Sequence, residues 1–244
     1  MADPTVAGSG VLARFLAFVV LLFACGATTV YAAFNDRRGT LSIEIWRYVV
    51  VAMGAGMGYA VLGGYELLGT GPLSAATIAG LRRVFQLFFI VLLSLSMREL
   101  YYRLPYRDAD SGSTLLSHGR ARLLEAAFMG IAFVEFVVVV SIGLTVAVRA
   151  VGAAASLAFA VYGISFAAGT RAEAMAGGTV IDSLLVRFIA VLTCLGAAGA
   201  LEGGALVGLP PTLVAGSVTV FLVMAGTSLL TVALRLKASA ETAA

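Results

Sequence analysis

Seven apolar stretches occupy almost the whole chain: roughly 11–33, 45–68, 74–101, 122–146, 149–169, 180–201 and 212–235. About 20 consecutive apolar residues are enough to carry a helix across the hydrocarbon core of a bilayer. None of the stretches alternates as a barrel strand would, so the fold class expected is all-α, an integral membrane bundle of seven helices. Charged residues make up only 12% of the chain, against about 25% in a soluble domain, which leaves lipid to cover most of the surface.

This reading makes residues 1–244 a single membrane domain with a short tail at 238–244, multi-pass in the cell (plasma) membrane. The sequence VYAAF near residue 31 offers the small residues of a signal-peptide cleavage site. The apolar core before it is long for such a peptide, so the first stretch is expected to stay as a helix. Cys25 and Cys194 both fall inside apolar stretches and are too few for a disulfide framework. The single histidine, His118, sits in the 102–121 connection with Pro105, Asp108, Asp110 and Gly112. No metal site and no nucleic-acid partner are expected.

Charge orients the bundle. Arg37 and Arg38, then Arg98, Arg103, Arg107, Arg120 and Arg122, then Arg171, Arg235 and Lys237 all fall at one end. The connection EGGALVGLPP at the other end has no basic residue. Basic loops stay on the cytoplasmic side, which predicts the N-terminus outside and the C-terminus inside.

Few polar groups lie at membrane depth. Arg82 and Arg83 stand together early in the third stretch, with Gln86 one turn below. Neighbours on a helix point about 100° apart, so one arginine can reach the headgroups while the other turns into the bundle. A plain helix-end anchor is the competing role for both. Glu135 lies in the middle of the fourth stretch and is expected to hold its proton in hydrocarbon. It is a proton site or counter-ion on one reading and a hydrogen-bonded neutral acid on the other. Arg187 is an inward candidate, although its length also lets it snorkel to the nearer interface. Tyr59 and Tyr162 lie mid-helix, and Gly54 and Gly58 have the spacing at which helix backbones approach closely.

The segments AAASLAFAVYGISFAAGTRAEAM (153–175), RYVVVAMGAGMGYAVLGGYELLG (47–69) and TVALRLK (231–237) resemble the fifth, second and seventh helices of the microbial (type 1) rhodopsins, the archaeal bacteriorhodopsin and sensory rhodopsin family. The resemblance implies an opsin-like bundle in which Tyr59 matches a pocket tyrosine and Arg235 a basic residue of the seventh helix. It matches Arg83 to the family's inward arginine, pointing toward Gln86 with Glu66 or Glu202 as its carboxylate, and leaves Arg82 to the headgroups. It also implies that the retinal site is dismantled. The Schiff-base lysine position holds Gly226, the second counter-ion position Leu222, and Gln86 replaces the proton-accepting carboxylate. Leu87 and Ala153 stand where tryptophans would flank the polyene. The only lysine in the chain, Lys237, lies close to the tail, well past the required depth.

These losses agree with one another, because an aspartate without its cation would be an uncompensated buried charge. No covalent retinal is expected. The function expected is a non-pumping receptor, regulator or partner subunit that works through helix–helix contacts, as a homo-oligomer or beside another membrane protein. The alternatives are a channel or transporter of ions or small solutes through the vacated interior, and non-covalent retention of a retinoid or carotenoid there. A water-filled path lined by Gln86, Glu135 and Arg187 would mark the former. No spacing at membrane depth suits enzyme catalysis.

Overall fold

The computed structural model describes residues 4–37, 43–69, 74–103, 115–173 and 180–242. They form α1 (Pro4–Arg37), α2 (Ile43–Leu68), α3 (Ala75–Arg103), α4 (His118–Ile142), α5 (Val146–Glu173), α6 (Val180–Glu202) and α7 (Pro211–Thr242), with a short 3-10 turn at Gly204–Val207 before α7. All seven α-helices contain a span long and apolar enough to cross a membrane. The basic residues Arg38 and Arg107, with Pro105, Asp108, Asp110 and Gly112 of the long connection, lie outside the described residues.

Two boundaries differ from the sequence expectation for local reasons. The fourth helix lies closer to the N-terminus than 122–146, because Gly143 takes φ 88° and its N–H closes on the Val139 carbonyl at 3.0 Å. A positive φ is open to glycine without the steric cost a side chain would bring, and it breaks the helix here. Thr145 Oγ1 then accepts from the Val148 N–H at 3.2 Å and starts the fifth helix early. At the C-terminus the expected tail is instead helical as far as Thr242.

The helices alternate in direction, and α1 packs on both α2 and α7. The end of the bundle where α1 begins is called proximal here and the opposite end distal. The third helix is the hub: it packs against α2, α4, α5 and α6. Val84, Leu87, Phe89, Ile90, Val91 and Leu93, which point in all directions around it, are each no more than 1% exposed. Two polar clamps hold it in place. Gln86 Nε2 donates to the Leu195 carbonyl of α6 at 3.1 Å, and Ser94 Oγ donates to the Phe159 carbonyl of α5 at 2.9 Å. The fourth helix is the least covered, with 22% of its most apolar stretch buried, against 28% for α1 and α7 and 67% for α3.

The expected Gly54–Gly58 approach is divided. Gly58 lies under the Phe85 ring, where a Cβ would come within 2.4 Å, whereas Gly54 faces open space. The first helix instead approaches the second at Gly63, where a Cβ would stand 2.3 Å from the Phe18 ring.

Candidate functional site

The proximal third of the bundle holds a buried four-charge network. Arg82 Nε donates to Glu66 Oε2 at 2.6 Å and its Nη1 donates to Glu202 Oε1 at 2.5 Å. Arg83 Nε stands 3.7 Å from Glu202 Oε2. The end of α2, the first turns of α3 and the end of α6 each supply part of it. Two guanidiniums facing two carboxylates leave it formally neutral, which is how charges at membrane depth are tolerated. The Arg82 guanidinium also lies over the Tyr59 ring, 5.8 Å from its centroid.

This arrangement corrects the assignment of Arg82 and places Arg83 inward beside Glu202. Arg82, expected at the headgroups, is the inward residue with two carboxylate partners, and Arg83 is buried as well. The cause is the central position of α3: side chains 100° apart still both meet protein, because helices surround it on several sides. Arg83 is therefore an inward group, but Arg82 makes the stronger contacts. Arg187 is not inward; it lies on the exposed face of α6. Glu135 is buried between α4 and α5, and neither of its oxygens has a hydrogen-bond partner among the described residues.

A second cluster, at the distal end, escaped the sequence reading. Arg98 Nε lies 2.8 Å from Glu125 Oε1 and its Nη2 lies 3.5 Å from Glu99 Oε2. Tyr162 Oη donates to the same Glu125 oxygen at 2.9 Å. The Tyr102 ring lies 5.9 Å from the Arg98 guanidinium and 5.0 Å from the His118 ring, joining α3 to the start of α4. The signal was present in RLLEAAF, where Glu125 interrupts an apolar run, but a span drawn from 122 hides it as a helix-end charge.

Between the clusters the interior is mostly apolar, interrupted by the Gln86 and Ser94 clamps. Arg82 and Arg98 are separated by about 24 Å along α3, and the core layer between them includes Leu87, Phe89, Ile90, Leu93, Leu195 and Leu222, all with no exposed surface. The positions that the resemblance assigns to a former retinal pocket are filled or covered. Tyr59, Leu87 and Leu222 are wholly buried, and Gln86 is spent on its clamp to α6. Ala153 packs at the end of α6, where a Cβ on Gly203 would meet it at 2.6 Å. Gly226 faces α1, where a Cβ would stand 3.0 Å from Val20 and 3.4 Å from the Leu21 backbone nitrogen. Close packing of α1 on α7 is reason enough for glycine at that position. Gln86, Glu135 and Arg187 point to three different places and line no common path.

No group of three or more metal-binding side chains occurs among the described residues. Comparison with protein families, curated proteins and solved structures finds no match for this chain. The length and composition of its helices give the class: an all-α protein with seven candidate transmembrane helices, of the multi-pass membrane type.

Proposed function

We propose that this chain is an opsin-like seven-helix protein of the cell membrane, without covalent retinal, that serves as a non-pumping receptor, regulator or partner subunit through lateral helix contacts. The observation that carries this reading is the apolar layer between the two ion clusters. A pump or a solute path needs polar groups in series, whereas here Gln86 and Ser94, which lie between the ion clusters on α3, each donate to a carbonyl of a neighbouring helix amid wholly buried apolar side chains. The placement of Gly226 against α1 supports the absence of a covalent chromophore. Because Arg82 is buried on two carboxylates instead of reaching the headgroups, the opsin likeness rests on the second, fifth and seventh helices and is weakened in the third. Crowding of Lys and Arg in the distal connections and tail supports a cytoplasmic distal end.

The test combines a visible spectrum with a flux measurement. Purified protein is mixed with all-trans-retinal, then reconstituted into vesicles holding a pH-sensitive dye. The expected result is no absorbance band to the red of free retinal and no proton movement in light or darkness. A red-shifted band with light-driven flux would overturn the reading. Lateral contact is tested with Phe133→Cys on the outward face of α4, since the native Cys25 and Cys194 are buried. Disulfide-linked dimers in native membranes support self-association. Monomers together with dark ion flux would favour a channel instead.

A further inference from the structure

The fourth and fifth helices enclose a crevice of about 490 Å³, lined by Gly130, Ile131, Val134 and Val138 on one side and by Ala147, Val148 and Val151 on the other. Ile131, Val134 and Val151 are exposed on the outer surface of the bundle, so the crevice opens sideways toward lipid. Its volume falls within the roughly 300–1,000 Å³ typical of small-molecule sites. In this apolar setting the one ionisable lining residue is Glu135, which is 4% exposed and has no hydrogen-bond partner for either carboxyl oxygen. A buried polar group left unsatisfied is costly and calls for a partner.

The residue opposite is Gly152, where a Cβ would come within 2.6 Å of Glu135 Oε1. The bare glycine makes the space that the carboxyl occupies. The neighbouring charges do not supply a partner. Arg82 is engaged by Glu66 and Glu202, and Arg83, with its Nε 3.7 Å from Glu202 and its Nη2 unpartnered, makes no ion pair with Glu135 among the described residues.

We propose that this crevice binds a membrane-dissolved, single-chain apolar molecule carrying one hydrogen-bond-donating head, a hydroxyl or an ammonium, seated on the Glu135 carboxyl. The carboxyl oxygens are buried on the Gly152 side, and a turn of the flexible glutamate side chain brings them to the head. Depth selects the class of ligand. Glu135 lies about 10 Å from the proximal end of α4, below the level at which a phospholipid headgroup remains hydrated. A small head on a long chain can be drawn to that depth and a phosphate cannot. This inference does not depend on the opsin likeness or on the function proposed above.

The test uses the full chain in phosphatidylcholine nanodiscs and hexadecan-1-ol carrying a mid-chain diazirine. Photolabelled peptides are mapped by mass spectrometry, with matched hexadecylamine and hexadecyl methyl ether probes. Labelling should concentrate on α4 and α5 around Val134 and Val151. It should fall about tenfold for the ether, which cannot donate, and about tenfold in Glu135→Leu, a loss equivalent to about 1.4 kcal/mol. Gly152→Ala, which displaces the carboxyl, should lower labelling too, and it serves as the second variant if Glu135→Leu does not fold. Labelling by the alcohol, the amine or both supports the site, and the stronger probe identifies its head. Equal labelling of all lipid-facing helices, or labelling indifferent to the ether and to both variants, would overturn the proposal.

Discussion

The two ion clusters use the same helix and the same residue types, yet they are built differently. At the proximal end Arg82 directs two hydrogen bonds at carboxylates from α2 and α6, and a second arginine balances the charge. At the distal end a single Arg98 lies between Glu99 and Glu125; its Nε is close to Glu125 without being directed at it, and Tyr162 donates to that carboxylate instead. The first cluster joins helices that are also held by extensive apolar packing. The second secures α4, whose remaining anchorage includes a small cluster in which Val139 meets Val84 and Val148. A network inside the core adds to an assembly that packing already holds, whereas one at the edge governs whether a helix stays attached. Sixteen positions turn the helix to about 160° from where it started, so Arg82 and Arg98 serve opposite sides of α3.

The largest effect should come from breaking the neutral network. Arg82→Leu leaves Glu202 buried with only the longer contact from Arg83 and should cost about 3–5 kcal/mol, read as a lower Tm in nanodiscs. Removing both charges in Arg82→Leu with Glu202→Leu should recover part of that loss, and a double-mutant cycle measures how much. If the double variant is no better than the single, the pairing does not explain the burial of these residues.

Arg98→Leu should cost less, about 1.5–3 kcal/mol, and its effect should be local. Hydrogen exchange in α4 should rise while that of α1 and α7 stays unchanged. A uniform rise across the bundle would erase the distinction between the two clusters. Tyr162→Phe, which removes one hydrogen bond from Glu125, should reproduce the same pattern more weakly.

The smallest effect is expected from Glu66→Gln. Its side chain is 25% exposed, against 9% for Glu202, so solvent and headgroups already screen it. Partly exposed pairs contribute about 0–1 kcal/mol, and the change in Tm should be barely measurable. A loss as large as that from Glu202→Leu would show that Glu66 carries the network.

The class of fold was legible in advance, and so were most span positions, because a run such as FVVLLFACGATTV declares its environment residue by residue. The candidate site was legible only as residue types. The sequence singles out Arg82, Arg83, Glu66 and Glu202 and places Arg83 inward near Glu202, but it does not reveal that Arg82 is buried on both carboxylates. Arg98, Glu125 and Tyr162 were not seen as a group, since 37 positions separate Glu125 from Tyr162. No pattern of spacing along the chain encodes that contact.

Hydrophobic run length and charge placement are local properties, and by themselves they determined seven candidate spans and a chain made for lipid. Helix neighbours are not local. Only the tertiary structure decided that α3 stands at the centre and α4 at the edge, that both arginines turn inward, that Gly226 meets α1, and that Glu135 opens onto a crevice. The physical reason is that an apolar helix carries nearly equal hydrophobicity on every side, so which face meets protein depends on the shapes and polar groups of the other helices.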